Sequence, residues 1–156
     1  MLMSGWSMQP MRVVILGIAS LAAGFTGAAA AEETMVVVRR EDARFVPLDP
    51  KYPDEMQVAV LRGDPAKGPS AALARVPKYT GALHYHTYGY DLVVLEGRMK
   101  HWKSGEQEVD VQPLGPGSYW HQPASQVHGD SCLTDVCLVF IKWEGTWESL
   151  PPDPPK

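Results

Sequence analysis

His84-Tyr85-His86 sets two imidazoles one residue apart. In a β-strand, side chains alternate between faces, so this spacing turns both rings the same way. Two neutral imidazoles on one face can share a single transition-metal ion. Asp91 follows the pair, and a turn rich in proline and glycine, Pro113 to Gly117, leads on to His128. Three imidazoles, with or without a carboxylate, leave coordination positions free for water or substrate.

Each candidate has a plainer reading beside it. His84, His86 and His128 are expected as metal ligands; the alternative is strand and turn histidines bonded to backbone. Asp91 shares strand parity with Val93 and Leu95, so it is expected to face the interior, where a buried aspartate needs a partner such as a metal. It can equally cap a turn after Gly89, or orient a ligand histidine through a hydrogen bond. His121 is a further candidate, as the fourth ligand, as a general base beside the metal, or as a ring stacked among Tyr119 and Trp120. His101, between Lys100 and Trp102, reads as an exposed strand histidine. Tyr85, Tyr88, Tyr90, Trp102, Trp120 and Trp143 are enough to line a pocket for a planar substrate, or to pack a core or an interface.

The elements that must position these residues are short strands. Candidates are Thr34–Val38, Met56–Leu61, Ala71–Val76, Leu83–His86, Leu92–Leu95, Arg98–Trp102, Glu108–Val111, Ser118–Gln122, Val127–Leu133 and Val136–Trp143. The 14 prolines and 14 glycines fall between them as turn signals. Beyond the leader, no long run has helical periodicity, so an all-β sandwich or barrel is expected.

Two longer patterns carry a family resemblance. Gly81-Ala82-Leu83-His84-Tyr85-His86-Thr87-Tyr88-Gly89-Tyr90-Asp91, ending in Val94-Leu95-Glu96-Gly97, resembles the first cupin motif. Pro116-Gly117 through Pro123 to His128 resembles the second. The stretch Val60-Leu61-Arg62-Gly63-Asp64-Pro65, followed by Gly68-Pro69, is similar to quercetinase-like single-domain cupins of uncharacterised function and, more distantly, to the cupin domain of ChrR-type anti-sigma factors. The resemblance implies a single jelly-roll β-barrel with one divalent transition metal inside, iron, manganese, nickel, copper or zinc. It implies a dioxygenase-like enzyme acting on a small molecule; a non-catalytic metal or ligand carrier or sensor is the alternative. Three departures stand out: aspartate replaces the usual glutamate at position 91, the second motif lacks its asparagine, and His121 sits where the family is apolar.

The ends and the charge balance bound the rest. Arg12, the apolar stretch Val13 to Phe25 and the run Ala28 to Ala31 read as a secretory signal peptide over residues 1–31. An extended segment over 32–55, the barrel over 56–147 and a proline-rich, mobile tail over 148–156 complete the expected layout. The mature chain would keep all 18 acidic residues and lose only Arg12 from the 14 basic ones, for a net charge of about −5. No basic patch favours nucleic acid, no stable membrane insertion is expected after cleavage, and there is no asparagine for N-linked glycosylation. The expected setting is periplasmic or secreted, with a homodimer possible. Cys132 and Cys137 flank what reads as a hairpin turn; a disulfide suits an oxidising compartment, with free thiols or a metal pair as alternatives.

Overall fold

The computed structural model describes residues 34–152; the expected leader and the end of the tail lie outside them. The strands are β1 (Val46–Pro47), β2 (Gln57–Gly63), β3 (Ser70–Thr80), β4 (Tyr90–Glu96), β5 (Met99–Lys103), β6 (Tyr119–Gln122) and β7 (His128–Trp143). They form one antiparallel sheet in the order β1-β2-β3-β7-β4-β6, with β5 also paired to β7. The all-β expectation holds. Thr34–Val38 stays outside the sheet, and Glu108–Asp110 is a 3-10 turn rather than a strand. Among the described residues no helix is long and apolar enough to cross a membrane.

Alternation explains which side each strand buries. On β3, Ala72, Ala74 and Val76 face in while Leu73 and Arg75 face out; on β4, Tyr90, Leu92 and Val94 face in. These side chains join Met99, Trp120, Val139, Ile141 and Trp143 in a continuous core. Pro77 is tolerated because it lies beyond the end of β2, whose pairing with β3 stops at Arg75.

β7 is the axis of the sheet. Along one side it pairs with β3; along the other its late half pairs with β4 and its early half with β5. Cys132 and Cys137 are disulfide-bonded, but the expected hairpin between them is a bulge within this single strand. Two neighbours break register near that level, β3 between Pro77 and Tyr79 and β4 between Val94 and Glu96, just before the turn at Gly97 that leads into β5. Gly97 has φ +82°, and a Cβ there would lie 2.5 Å from Thr134 Oγ1, so the turn requires glycine.

The chain after β7 does not hang free. Trp147 N–H donates to the Pro65 carbonyl at 2.8 Å, and Leu150 exchanges two backbone hydrogen bonds with Tyr85. The mobile tail expected from position 148 is therefore tied down at least as far as Leu150. Those bonds bring the Glu148 carbonyl to the site.

Candidate metal centre

His84 pairs with His128, the first residue of β7, through two backbone hydrogen bonds of 2.8 and 2.9 Å. Directly opposed residues project from the same face, and His86, two residues on, returns to it. The three rings form a triangle with centroids 4.3 Å apart for His84–His128, 4.9 Å for His84–His86 and 5.0 Å for His86–His128. One ring nitrogen from each lies within 4.8 Å of the other two. His86 and His128 are buried; His84 is half-buried.

The second nitrogen of each ring decides what the triangle can do. Nδ1 of His84 donates to the Ala82 carbonyl at 2.9 Å, Nδ1 of His128 to the Gln126 carbonyl at 3.0 Å, and Nδ1 of His86 to the Glu148 carbonyl. A carbonyl oxygen only accepts, so each Nδ1 keeps its proton and each Nε2 carries a lone pair. Metal-binding histidines are oriented in this way. Burial also pulls the imidazoles of His86 and His128 down to about 4, so both are neutral at pH 7. The residues fit a divalent transition ion: three imidazole nitrogens, each with its Nδ1–H engaged by a carbonyl.

Tyr90 completes the inner wall. Its hydroxyl lies 3.4 Å from His128 Nε2 and accepts a hydrogen bond from Trp120 Nε1 at 3.3 Å. Burial raises the phenol well above its usual range, so it stays protonated and acts as a donor.

Two expected site residues are elsewhere. Asp91 belongs to the outward set of β4, because Tyr90, Leu92 and Val94 are the positions that pack inward. Directly across from it on β6 is His121, also outward, while Trp120 and Gln122 face in. Asp91 Oδ1 accepts hydrogen bonds from the Tyr119 hydroxyl at 2.6 Å and His121 Nδ1 at 3.0 Å. Those two bonds, Tyr119 first, hold its carboxyl below the usual range. Neither Asp91 as ligand nor His121 as ligand or general base reaches the triangle; the parity assigned to Asp91 is off by one residue.

Two residues not assigned to the site from sequence sit beside it. His101 on β5 is directly opposite Asp130 on β7, and Asp130 shares strand parity with His128. One donor atom each from His101, His128 and Asp130 lie within 4.8 Å of one another. His101 is not an exposed strand histidine: it stacks on Trp120 at 4.7 Å, and burial pulls its imidazole down to about 4. Its Nε2–H donates to Gln122 Oε1 at 3.0 Å, and the Gln122 amide is oriented by its own bonds to the Pro123 and Gln126 carbonyls. Its lone pair is therefore on Nδ1, which is buried without a partner. Asp130 Oδ2 is 3.9 Å from His84 Nε2, and desolvation pushes its carboxyl up to about 7. The signal for Asp130 was its position two residues after His128; the sequence around His101 carries none.

The site opens on a cavity of about 680 Å³. His84, His86, Tyr90 and Asp130 line it together with the polar residues Glu55, Lys78 and Ser149, and Leu92, Met99, Ile141, Trp120 and Trp143 form much of the apolar wall. Such a cavity suits a small organic molecule with an apolar body and few polar groups.

A family described as a domain of unknown function (DUF4437) matches residues 19–150. DNA damage-repair/toleration protein DRT102 of Arabidopsis thaliana is 37% identical over 65 residues, which are 42% of this chain and 20% of that protein. The chain thus spans about a fifth of the length of that curated relative. An RmlC-like cupin protein from Ralstonia eutropha JMP134 superposes with a TM-score of 0.57 at 18% identity, over 72% of this chain and 69% of its own. An acetylacetone dioxygenase from Acinetobacter johnsonii gives 0.56 at 17% identity, over 78% and 80%. It shares its fold with these solved structures, and by the family match across most of its length the chain belongs to the DUF4437 family.

Proposed function

We propose that this protein is an exported, metal-dependent cupin that holds one divalent transition ion on His84, His86 and His128 and acts as an oxygenase-type enzyme on a small, largely apolar molecule. The observation that carries the reading is the set of three Nε2 lone pairs, each freed by a carbonyl on Nδ1, beside an apolar cavity. When bound, such an ion supplies Lewis acidity toward a substrate oxygen and, if redox-active, a route for dioxygen to take part. The aliphatic and indole walls hold the apolar body of the substrate and keep water out. Tyr90, held protonated and fixed by Trp120, offers its O–H to an oxygen on the substrate. Oxygenase chemistry is among the activities named for proteins of the same fold, an acetylacetone dioxygenase being one and a polyketide cyclase another. The Cys132–Cys137 disulfide favours an oxidising compartment, periplasmic or extracellular.

One observation favours a non-catalytic ligand or metal carrier instead. His121, the residue expected to act as base, lies on the outer face, and Tyr90 holds its proton too tightly to serve. Elemental analysis of the full chain, purified without a polyhistidine tag, beside its His86→Ala variant separates the readings. About one equivalent of metal, lost in the variant, is expected. Oxygen uptake with 1,3-diketones or flavonols then supports the enzyme, and metal without uptake supports the carrier. Absence of metal from both proteins after reconstitution overturns the metal reading.

A further inference from the structure

The first cupin motif normally supplies a carboxylate to its metal, and here the acid at that place, Asp91, is on the wrong face. We propose that Asp130 takes over that role, with His101 behind it, so that the ion is held by His84, His86, His128 and Asp130. The inference rests on the three-histidine reading above and extends it.

Four observations carry it. Asp130 is two residues beyond His128 on β7, so both side chains enter the same interior. Asp130 Oδ2 stands 3.9 Å from His84 Nε2. Two donors on one ion, each about 2.0–2.2 Å from it, lie no more than about 4.4 Å apart, so this pair can share an ion. Asp130 also lines the cavity that His84 and His86 face. Finally, His101 lies directly across the sheet from Asp130 with its N–H committed to Gln122 and only a lone pair on Nδ1, so it gives the Asp130 carboxylate no hydrogen bond and leaves it free for an ion.

The two triads do not make two metal sites. His128 belongs to both, yet its Nδ1 is committed to the Gln126 carbonyl, leaving it one lone pair to give. One ion at Nε2 of His128 would draw Asp130 from the second triad into the first, and His101 would not be a ligand.

The test is a cobalt(II) titration of the full, untagged chain, followed by its visible absorption band. Four variants stand beside the wild type: Asp130→Asn, Asp130→Ser, Asp91→Asn and His86→Ala. Asp130→Asn is expected to bind cobalt at least about tenfold more weakly and with an altered band, while Asp91→Asn matches the wild type. Asp130→Ser removes the same carboxylate without added bulk and is read the same way should the first variant fail to fold. Wild-type affinity and band in both Asp130 variants, with binding lost in His86→Ala, overturn the role of Asp130 and leave the three-histidine site standing. Unchanged binding in His86→Ala overturns both readings.

Discussion

Adjacent residues of β4, Tyr90 and Asp91, belong to two different clusters of histidine, acid and tyrosine. Inside, Tyr90 meets His128 beneath His84 and His86, with Asp130 close by. Outside, Asp91 binds His121 and Tyr119. The residue types are nearly the same, and their chemistry is opposite. Outside, one carboxylate oxygen accepts from two donors, and solvent reaches all three side chains. Inside, backbone carbonyls take the imidazole protons and leave lone pairs facing one another, while burial keeps the rings neutral and the acid reluctant to ionise. The outer cluster pairs its acid with two donors; the inner one has lone pairs to spare. Strand parity, a matter of one residue, decides which cluster can take a ligand.

The largest expected effect separates the two directly. His128→Ala should weaken zinc binding by more than about a hundredfold in calorimetric titration, whereas His121→Ala should leave it within about twofold. Equal losses would erase the distinction.

Acid should act on the inner cluster next. His86, His101 and His128 sit near 4 in the folded protein, against about 6.5 unfolded. A depressed folded value means that the unfolded chain takes up protons first as pH falls. Their contribution is therefore intact above about pH 6.5 and is lost progressively toward pH 4. Asp130, raised to about 7, has the opposite sign: its contribution is present at low pH and lost as pH rises through that value. With three histidines against one acid, the metal-free protein should melt at steadily lower temperature from pH 7 to pH 4.5. A flat profile would show that the rings are not desolvated.

Gly129 tests whether the outer face positions the inner one. It lies between His128 and Asp130, and a Cβ there would come within 2.4 Å of the Trp102 ring. Gly129→Ala should cost about 1–3 kcal/mol in urea unfolding and weaken metal binding as β7 shifts. Lost stability with unchanged affinity would mean that the two faces are mechanically independent. The smallest effect is expected from Asp91→Asn: no more than about 1 kcal/mol, for an exposed pair, and no change in metal content.

The pairing of His84 with His86 and the distant His128 was legible because period-two spacing and the motif turns are local features. The proline and glycine punctuation likewise marked most strand boundaries. Asp91 was misplaced because Leu92, Val93, Val94 and Leu95 are all apolar, so hydrophobicity does not say which alternate set faces in. Tertiary contacts settle it, with Tyr90 wedged between His86 and Trp143. His101 was hidden for a related reason: both Met99 and Trp102 are buried, so β5 shows no clean alternation. The Glu148 carbonyl that fixes the His86 tautomer could not be read at all, because a backbone oxygen 62 residues away leaves no mark in side-chain pattern.

The position of β7 in the chain has a consequence for the order of assembly. It is the last strand among the described residues, yet β3, β4 and β5 all depend on it. As the polypeptide is made, β2 and β3 can pair early, but β4 and β5 lack their main partner until residues 128–143 emerge. His84 and His86 wait equally long for His128. Closure is thus held back until residues 128–143 have emerged and is dominated by contacts distant in sequence, a pattern that folds slowly. A chain in that condition acquires its three-histidine pocket only after residues 128–143 have arrived.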